Sequence, residues 1–301
     1  MKHLLDIKTL DKDTIAQIIS NARMFKLGKR QSSVQGATVC MMFFENSTRT
    51  KMSFDLAAQK LGMNVLHFDS DVSSLAKGET IRDTMENLFA IGVNSIVVRT
   101  TEEDFIKRRL LELKVPLSFV NAGSGTSSHP TQALLDFLTM LEVLNSVKNK
   151  KICIVGDISH SRVASSNIEL LTKFDARVHV VAPQYFMPKE KCSAVTYHSS
   201  LSDGLRDADV VMALRIQKER FKNIEEFSVN DYVKNYRLNS DLINKYCPNA
   251  MIMHPGPINR EVEITSELVD SELGKYILEQ AKNGTFVRMA VLEMLNMAEK
   301  K

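Results

Sequence analysis

Short apolar runs of strand length alternate along this chain with stretches whose apolar residues recur every three or four positions. In the first half, residues 38–44, 65–68, 95–99 and 116–121 read as strands. Residues 50–61 read as a helix, with Phe54, Ala57, Ala58 and Leu61 on one face and Gly62 as its stop. Residues 81–92 and 130–144 read as further helices, the second opened by Pro130 in its first turn. After Asn149 the pattern restarts. Residues 151–155, 177–181, 210–214 and 250–253 read as strands, and a helix runs from about Arg162 to Lys173. The last helix, 287–298, carries Val287, Ala290, Val291 and Leu295 on one stripe. Such alternation predicts parallel sheets covered on both faces. The restart predicts two of them. The expected architecture is therefore α/β, with two doubly wound parallel-sheet domains. One spans residues 1–146, with a C-terminal helix at 285–301 packing back on it, and the other spans 147–284. Open sheets of this class bind ligands beyond the carboxyl ends of their strands, so the expected site is the cleft between the two domains.

Composition narrows the class. The 301 residues are 44% hydrophobic and 25% charged, with a net charge of only +3, which is ordinary for a soluble globular protein. No basic stripe of the kind nucleic-acid binders carry is present; Lys107-Arg108-Arg109 reads as a solvated face. The longest apolar runs, such as 210–214, are far too short to span a membrane. The N-terminus lacks the apolar stretch of a signal peptide, so a cytoplasmic protein is expected. Cys40, Cys153, Cys192 and Cys247 lack metal-ligand spacing, so neither a metal nor a disulfide framework is expected, and Cys40 and Cys153 read as buried, inert thiols.

The polar motifs fall where strands end. Phe43-Phe44-Glu45-Asn46-Ser47-Thr48-Arg49-Thr50 is a hydroxyl-rich turn that opens a helix. A helix start has unpaired N–H groups and a partial positive charge, which suits phosphate. Ser47 or Thr48 as a plain cap would account for the hydroxyls. It would not account for Arg49, whose planar fork suits an oxyanion. Ser73-Ser74-Leu75-Ala76-Lys77-Gly78-Glu79-Thr80 is a loop between strand and helix, and taken alone reads as a surface turn. Arg99 terminates an apolar strand. His129 precedes the helix that Pro130 begins, and Gln132 lies in its first turn, so both can face a carbonyl or an amine. Gly156-Asp157-Ile158-Ser159-His160-Ser161-Arg162 resembles a nucleotide-binding turn but lacks the glycine fingerprint. Arg215-Ile216-Gln217-Lys218-Glu219-Arg220 and His254-Pro255-Gly256-Pro257 follow two more strands.

Together these motifs resemble the aspartate/ornithine carbamoyltransferase family, and more closely its aspartate branch, over nearly the whole chain. Ser47-Thr48-Arg49-Thr50 and His129-Pro130-Thr131-Gln132 are similar to signatures that both branches share. Ser74 with Lys77-Gly78-Glu79, the segment from Arg215 to Arg220, and His254-Pro255-Gly256-Pro257 resemble the aspartate branch. One departure stands out: Thr100-Thr101-Glu102-Glu103 follows Arg99, where the family pattern has a histidine beside the arginine.

The resemblance implies transfer of the carbamoyl group of carbamoyl phosphate to the amine of L-aspartate, an early step of de novo pyrimidine synthesis, with no cofactor. It implies a carbamoyl-phosphate-binding first domain and an aspartate-binding second domain. Ser47, Thr48, Arg49 and Thr50 would bind the phosphate. Arg99 would bridge phosphate and carbonyl, and His129 and Thr50 would polarise the carbonyl oxygen. Gln132 and the backbone at Pro255, Gly256 and Pro257 would hold the carbamoyl NH2. Arg162, Arg215 and Gln217 would bind the carboxylates of aspartate. Ser74 and Lys77 would arrive from a neighbouring subunit, so each site would need a homotrimer. A higher assembly with a regulatory chain or another pyrimidine enzyme is compatible with this. An ornithine or other amino-acid carbamoyltransferase, and a non-catalytic scaffold subunit of the same fold, stay open as alternatives. The chemistry needs no enzyme nucleophile, and the sequence offers no Ser-His-Asp pattern.

Overall fold

The structure, a computed structural model, describes residues 1–68, 78–216 and 228–297. The chain divides into two compact units, Met1–Leu135 with Lys282–Lys301, and Asp136–Ala281. Each is α/β with one wholly parallel sheet, as the alternation predicts.

Unit 1 contains helix α1 (Lys12–Lys26), strand β1 (Thr38–Phe43), helix α2 (Thr48–Lys60), strand β2 (Asn64–Phe68), helix α3 (Ile81–Ala90) and strands β3 (Ser95–Thr100) and β4 (Ser118–Ser124). Its strand order is β2-β1-β3-β4. The central strands are apolar on both faces, as strands covered on two sides must be: Val39, Cys40, Met41 and Met42 of β1 are each at most 1% exposed. Helix α1 lies outside the elements expected from the pattern. Its Ile15, Ile18, Ile19, Ala22 and Phe25 are buried, and Asp11 caps it by accepting the Thr14 N–H. Strand β4 runs three residues further than the pattern predicts, through Asn121-Ala122-Gly123 to Ser124. It does so by a bulge: Val98 pairs with Asn121 but Thr100 pairs with Ser124, leaving one extra residue on β4.

Helix α4 (Pro130–Leu144) begins in unit 1, and the unit ends inside it, at Leu135, rather than at its last turn. The reason is packing. Asp136 accepts hydrogen bonds from Asn167 and Gln280, and the Phe137 ring lies 4.7 Å from that of Phe174.

Unit 2 continues with β5 (Lys151–Val155), α5 (Arg162–Lys173), β6 (Arg177–Val181), β7 (Val195–His198), α6 (Leu201–Leu205), β8 (Val210–Ala213), α7 (Val229–Tyr236), α8 (Ser240–Tyr246), β9 (Met251–Met253), α9 (Ser266–Val269) and the start of α10 (Tyr276–Met297), which belongs to unit 1 from Lys282 on. Its strand order is β7-β6-β5-β8-β9. Its core gathers Cys153, Val155, Val181, Leu205, Val211 and Ile252 around Leu238 and Ile264. Helix α10 starts well before residue 287, where its apolar stripe becomes regular. Its early turns bury polar side chains instead: Gln280 donates to Asp136, and Asn283 accepts from Lys26. Cys40, Cys153 and Cys247 are buried thiols, and burial pushes their pKa values up to about 11, 12 and 11. That matches the inert reading of Cys40 and Cys153.

Gly204 shows how closely α6 seats on the sheet. A Cβ there would collide with Cγ2 of Val181 and reach Sγ of Cys153 at 3.4 Å. Valine is stiff at χ1 and cannot swing away. Gly204→Ala is expected to lower unfolding stability by about 1–3 kcal/mol, the usual range for overpacking. Denaturant unfolding of the two proteins checks this, and an unchanged midpoint would show that α6 shifts freely.

Candidate functional site

In unit 1 three adjacent strands, β1, β3 and β4, deliver the candidate residues at their carboxyl ends. The sheet order reverses between β1 and β3, the switch point at which open α/β sheets bind ligands. Helix α2 begins two residues earlier than the pattern predicts, so Thr48, Arg49 and Thr50 form its first turn. A helix start is where backbone N–H groups have no carbonyl of the same helix to bond; Lys51 N–H donates back to Ser47 O at 3.1 Å. Ser47 holds the N-cap position but its side chain makes no cap hydrogen bond. The plain-cap explanation of this hydroxyl therefore fails. By contrast Asp11, Thr80, Ser161, Ser228, Asn239 and Thr265 all accept from the N–H three residues on. Thr80 thus opens α3.

Arg99 lies opposite Phe43 in the β1–β3 ladder, and its carbonyl accepts the Phe44 N–H at 2.8 Å. Its Nη1 donates to Thr50 Oγ1 at 3.3 Å and to Ala122 O at 3.2 Å. The β4 bulge is what frees that carbonyl: Ala122 sits in the segment where the register shifts. Nε of Arg99 approaches Glu45 Oε1 at 2.7 Å, an ion pair by distance although the N–H is not aligned for a hydrogen bond. Arg99 and Thr50 are therefore in direct contact.

His129 is reached through the tight turn 124–128. Ser124 N–H donates to Ser128 O at 2.9 Å, and Gly125 N–H donates to Thr100 O at 3.1 Å, which ties the turn to the end of β3. His129 is 4% and Gln132 8% exposed, and the two are joined by the Gln132 N–H to His129 O bond at 3.1 Å. The departure after Arg99 now has a physical role. Glu103 accepts the Thr126 N–H at 2.5 Å and the Thr126 hydroxyl at 2.9 Å, from a position that a Cβ at residue 125 would occupy. Gly125 also has φ +45°, a backbone conformation that favours glycine. Burial works against the charge on Glu103, but hydrogen bonds from Ser127 and Thr126 outweigh it and hold the carboxyl below its ordinary value.

In unit 2, β5, β8 and β9 are adjacent, and the order reverses between β5 and β8. Arg162 opens α5 behind its cap Ser161, which accepts the Ala164 N–H at 3.1 Å. Gly156 has φ +130°, and a Cβ there would meet Leu214 O at 2.9 Å, so the chain passes too close for any side chain. Arg215 is half-buried two residues past the end of β8. Gly256 follows β9 with φ +67°, joined to Pro257 by a cis peptide bond. Ser74, Lys77 and Gln217 lie outside the described residues. Among the described residues no three His, Cys, Asp or Glu side chains cluster to hold a metal ion, and no helix is long and apolar enough to cross a membrane. Glu45 and Glu103 were not among the expected site residues. Glu45 stands inside the quoted phosphate motif, and a carboxylate there is a signal only once Arg99 is known to lie across the ladder.

Residues 2–142 match the domain described as "Aspartate/ornithine carbamoyltransferase, carbamoyl-P binding domain". Residues 148–295 match its "Asp/Orn binding domain". The chain belongs to the aspartate/ornithine carbamoyltransferase family. It is 39% identical to the aspartate carbamoyltransferase catalytic subunit of Streptococcus thermophilus over 98% of this chain and 96% of that one. It is similar to the catalytic subunit of M. jannaschii aspartate transcarbamoylase, at 31% identity and TM-score 0.85, covering 100% of this chain and 99% of that one. It is also similar to aspartate transcarbamoylase of Trypanosoma cruzi, solved with carbamoyl aspartate and phosphate, at 28% identity and TM-score 0.85, covering 97% and 95% of the two chains.

A carboxyl held below its unfolded value contributes stability that is present above that value, about 4.3 for glutamate, and lost as pH falls through the folded one. Glu103→Gln is therefore expected to be less stable than wild type near neutrality, with the gap closing in acid below roughly pH 4. Unfolding followed across this range tests it; a gap independent of pH would show that the charge on Glu103 plays no part.

Proposed function

We infer that the protein is an aspartate carbamoyltransferase, converting carbamoyl phosphate and L-aspartate into N-carbamoyl-L-aspartate and phosphate. The observation that carries this reading is the contact of Arg99 with Thr50 in the open first turn of α2. A guanidinium meets the first turn of a helix there, and that combination suits a phosphate dianion and the carbonyl attached to it. The identity to the Streptococcus thermophilus catalytic subunit supports aspartate as the acceptor.

In this reading Ser47, Thr48, Arg49 and Thr50 bind the phosphate. Arg99 spans phosphate and carbonyl, and His129 and Thr50 polarise the carbonyl oxygen. Gln132 and the backbone of Gly256 and Pro257 hold the carbamoyl NH2. Arg162, Arg215 and Gln217 take the two carboxylates of aspartate. The neutral amine attacks the carbonyl carbon, the bond from that carbon to the phosphate oxygen breaks, and the departing phosphate accepts the amine proton. No covalent enzyme intermediate is needed. Orientation of the two reactants supplies up to roughly 7–11 kcal/mol in favourable cases. Each fixed donor to the developing oxyanion is worth about 2.7–4 kcal/mol when removed.

The reading includes a homotrimer in which Ser74 and Lys77 reach a neighbour's site. Apolar side chains left exposed in unit 1 support an interface there. Met52 and Leu56 lie on α2, Leu66 on the edge strand β2, and Phe89 and Ile91 at the end of α3. An exposed edge strand beside such side chains is usually covered in a natural protein.

Incubation with carbamoyl phosphate and either aspartate or ornithine is expected to give carbamoyl aspartate and no citrulline; the reverse outcome would move the chain to the other branch. Arg49→Ala should lower turnover by roughly a hundredfold or more, as loss of one oxyanion donor does, with the fold intact by circular dichroism. Near-normal turnover would remove Arg49 from the phosphate site. Inactive Lys77→Ala and Arg49→Ala chains, mixed and reassociated, should recover part of the activity. Failure to recover any would count against sites shared between subunits.

A further inference from the structure

Unit 2 contains a chain of polar side chains that the proposed reaction does not use. Asn167, Asp136, Gln280, His254 and Glu263 are each at most 2% exposed. Asn167 Nδ2 donates to Asp136 Oδ2 at 2.8 Å, and Gln280 Nε2 donates to Asp136 Oδ1 at 2.7 Å. The other end of the Gln280 amide accepts the His254 N–H at 2.9 Å. The His254 ring then makes two bonds. Gly256 N–H donates to Nδ1 at 2.8 Å, and Nε2 lies 3.1 Å from Glu263 Oε1. A backbone N–H can only donate, so Nδ1 is the acceptor and the proton sits on Nε2, directed at the carboxylate. Glu263 Oε1 also accepts the Asn259 N–H at 2.5 Å. The Asn259 side chain in turn donates to Ile216 O at 3.3 Å, next to Arg215.

This arrangement is poorly explained as a source of stability. Buried polar networks of this kind are matched or exceeded by well-packed apolar residues; what they add is a fixed geometry. The geometry fixed here is that of two segments. His254 holds the amide of Gly256, whose left-handed backbone sets the direction of the carbonyls at Gly256 and Pro257. Asn259 holds the backbone beside Arg215. Glu263 accepts from both holders through a single oxygen, while its Oε2 finds no hydrogen-bond partner among the described residues.

We propose that Glu263 and His254 are positioning residues that aim the Gly256–Pro257 carbonyls, making the site select a carbamoyl group over an acyl group that lacks the NH2, and that Asn259 carries the same constraint to Arg215. The inference rests on the reading of Gly256 and Pro257 as acceptors for the carbamoyl NH2. Carbonyl acceptors reward an N–H donor and gain nothing from a methyl group in its place. Acetyl phosphate is therefore the matched probe: it keeps the phosphate and the carbonyl and replaces NH2 by CH3.

The test measures phosphate release with L-aspartate as acceptor, comparing kcat/KM for carbamoyl phosphate with that for acetyl phosphate. His254→Asn places an amide oxygen where Nδ1 was and can still accept from Gly256. His254→Gln reaches Glu263 but abandons Gly256. The carbamoyl-over-acetyl ratio should fall roughly tenfold in His254→Gln, the size of one neutral hydrogen bond, and fall much less in His254→Asn. Asn259→Ala keeps the backbone bond to Glu263 and removes only the tie to Ile216. It should raise the KM for aspartate severalfold with the ratio unchanged. An unchanged ratio in a folded His254→Gln overturns the aiming role. If that variant does not fold, Asn259→Ala decides: an unchanged aspartate KM overturns the proposal, and a raised KM with an unchanged ratio upholds it. A wild-type chain that releases no phosphate with aspartate would sink the proposed function itself, a result separate from either of these.

Discussion

A parallel sheet has one constraint that no other arrangement of strands imposes: every strand ends on the same edge. Residues that follow strands are therefore neighbours in space however far apart they stand in the chain. In unit 1 this brings the segment after Phe43, Arg99, and the turn before His129 to the ends of three adjacent strands. In unit 2 it does the same for Arg162, Arg215 and Gly256. The helices contribute by packing on the faces, and the bulge in β4 contributes by turning one carbonyl toward Arg99. Without the common edge none of these local features would meet.

The charge at that edge is handled in two ways. Arg99 is neutralised from one side by Glu45 and oriented from the other by Thr50 and Ala122. An arginine held in this way loses less freedom on meeting an anion than one waving in solvent, and its planar fork is already aimed. Glu103 is handled differently. It has no cation in its immediate set of partners; amide and hydroxyl donors of the turn 126–127 satisfy it instead. A carboxylate thus serves as the anchor for a turn that leads into the buried His129.

Much of this was legible in the sequence, and what was missed has physical reasons. The strands with continuous apolar runs, such as Lys151–Val155, were plain because parallel strands are buried on both faces. Gly156 and Gly62 marked real turns, with φ of +130° and +70°. The hydroxyl-rich turn at 47–50 was legible as a helix start. Other features were hidden because their meaning is long-range. The early turns of α10 carry Gln280 and Asn283, polar residues whose partners Asp136 and Lys26 lie more than a hundred positions away, so no local pattern shows that this face is buried. Glu263 looks like a surface acid between Val262 and Ile264 until His254 is placed against it. Helix α1 had a regular apolar stripe and could have been read from spacing alone.

The packing of Glu103 against Gly125 has a consequence for substitution at either position. A Cβ at 125 would occupy the place of the Glu103 carboxylate. The two positions are therefore coupled, since both side chains would claim the same space. A side chain at 125 would force the Glu103 carboxylate to swing away and give up its bonds to Thr126. Loss of the carboxylate at 103 would clear that space, whereas a side chain placed at 125 first would have to displace it, so the order of the two changes matters.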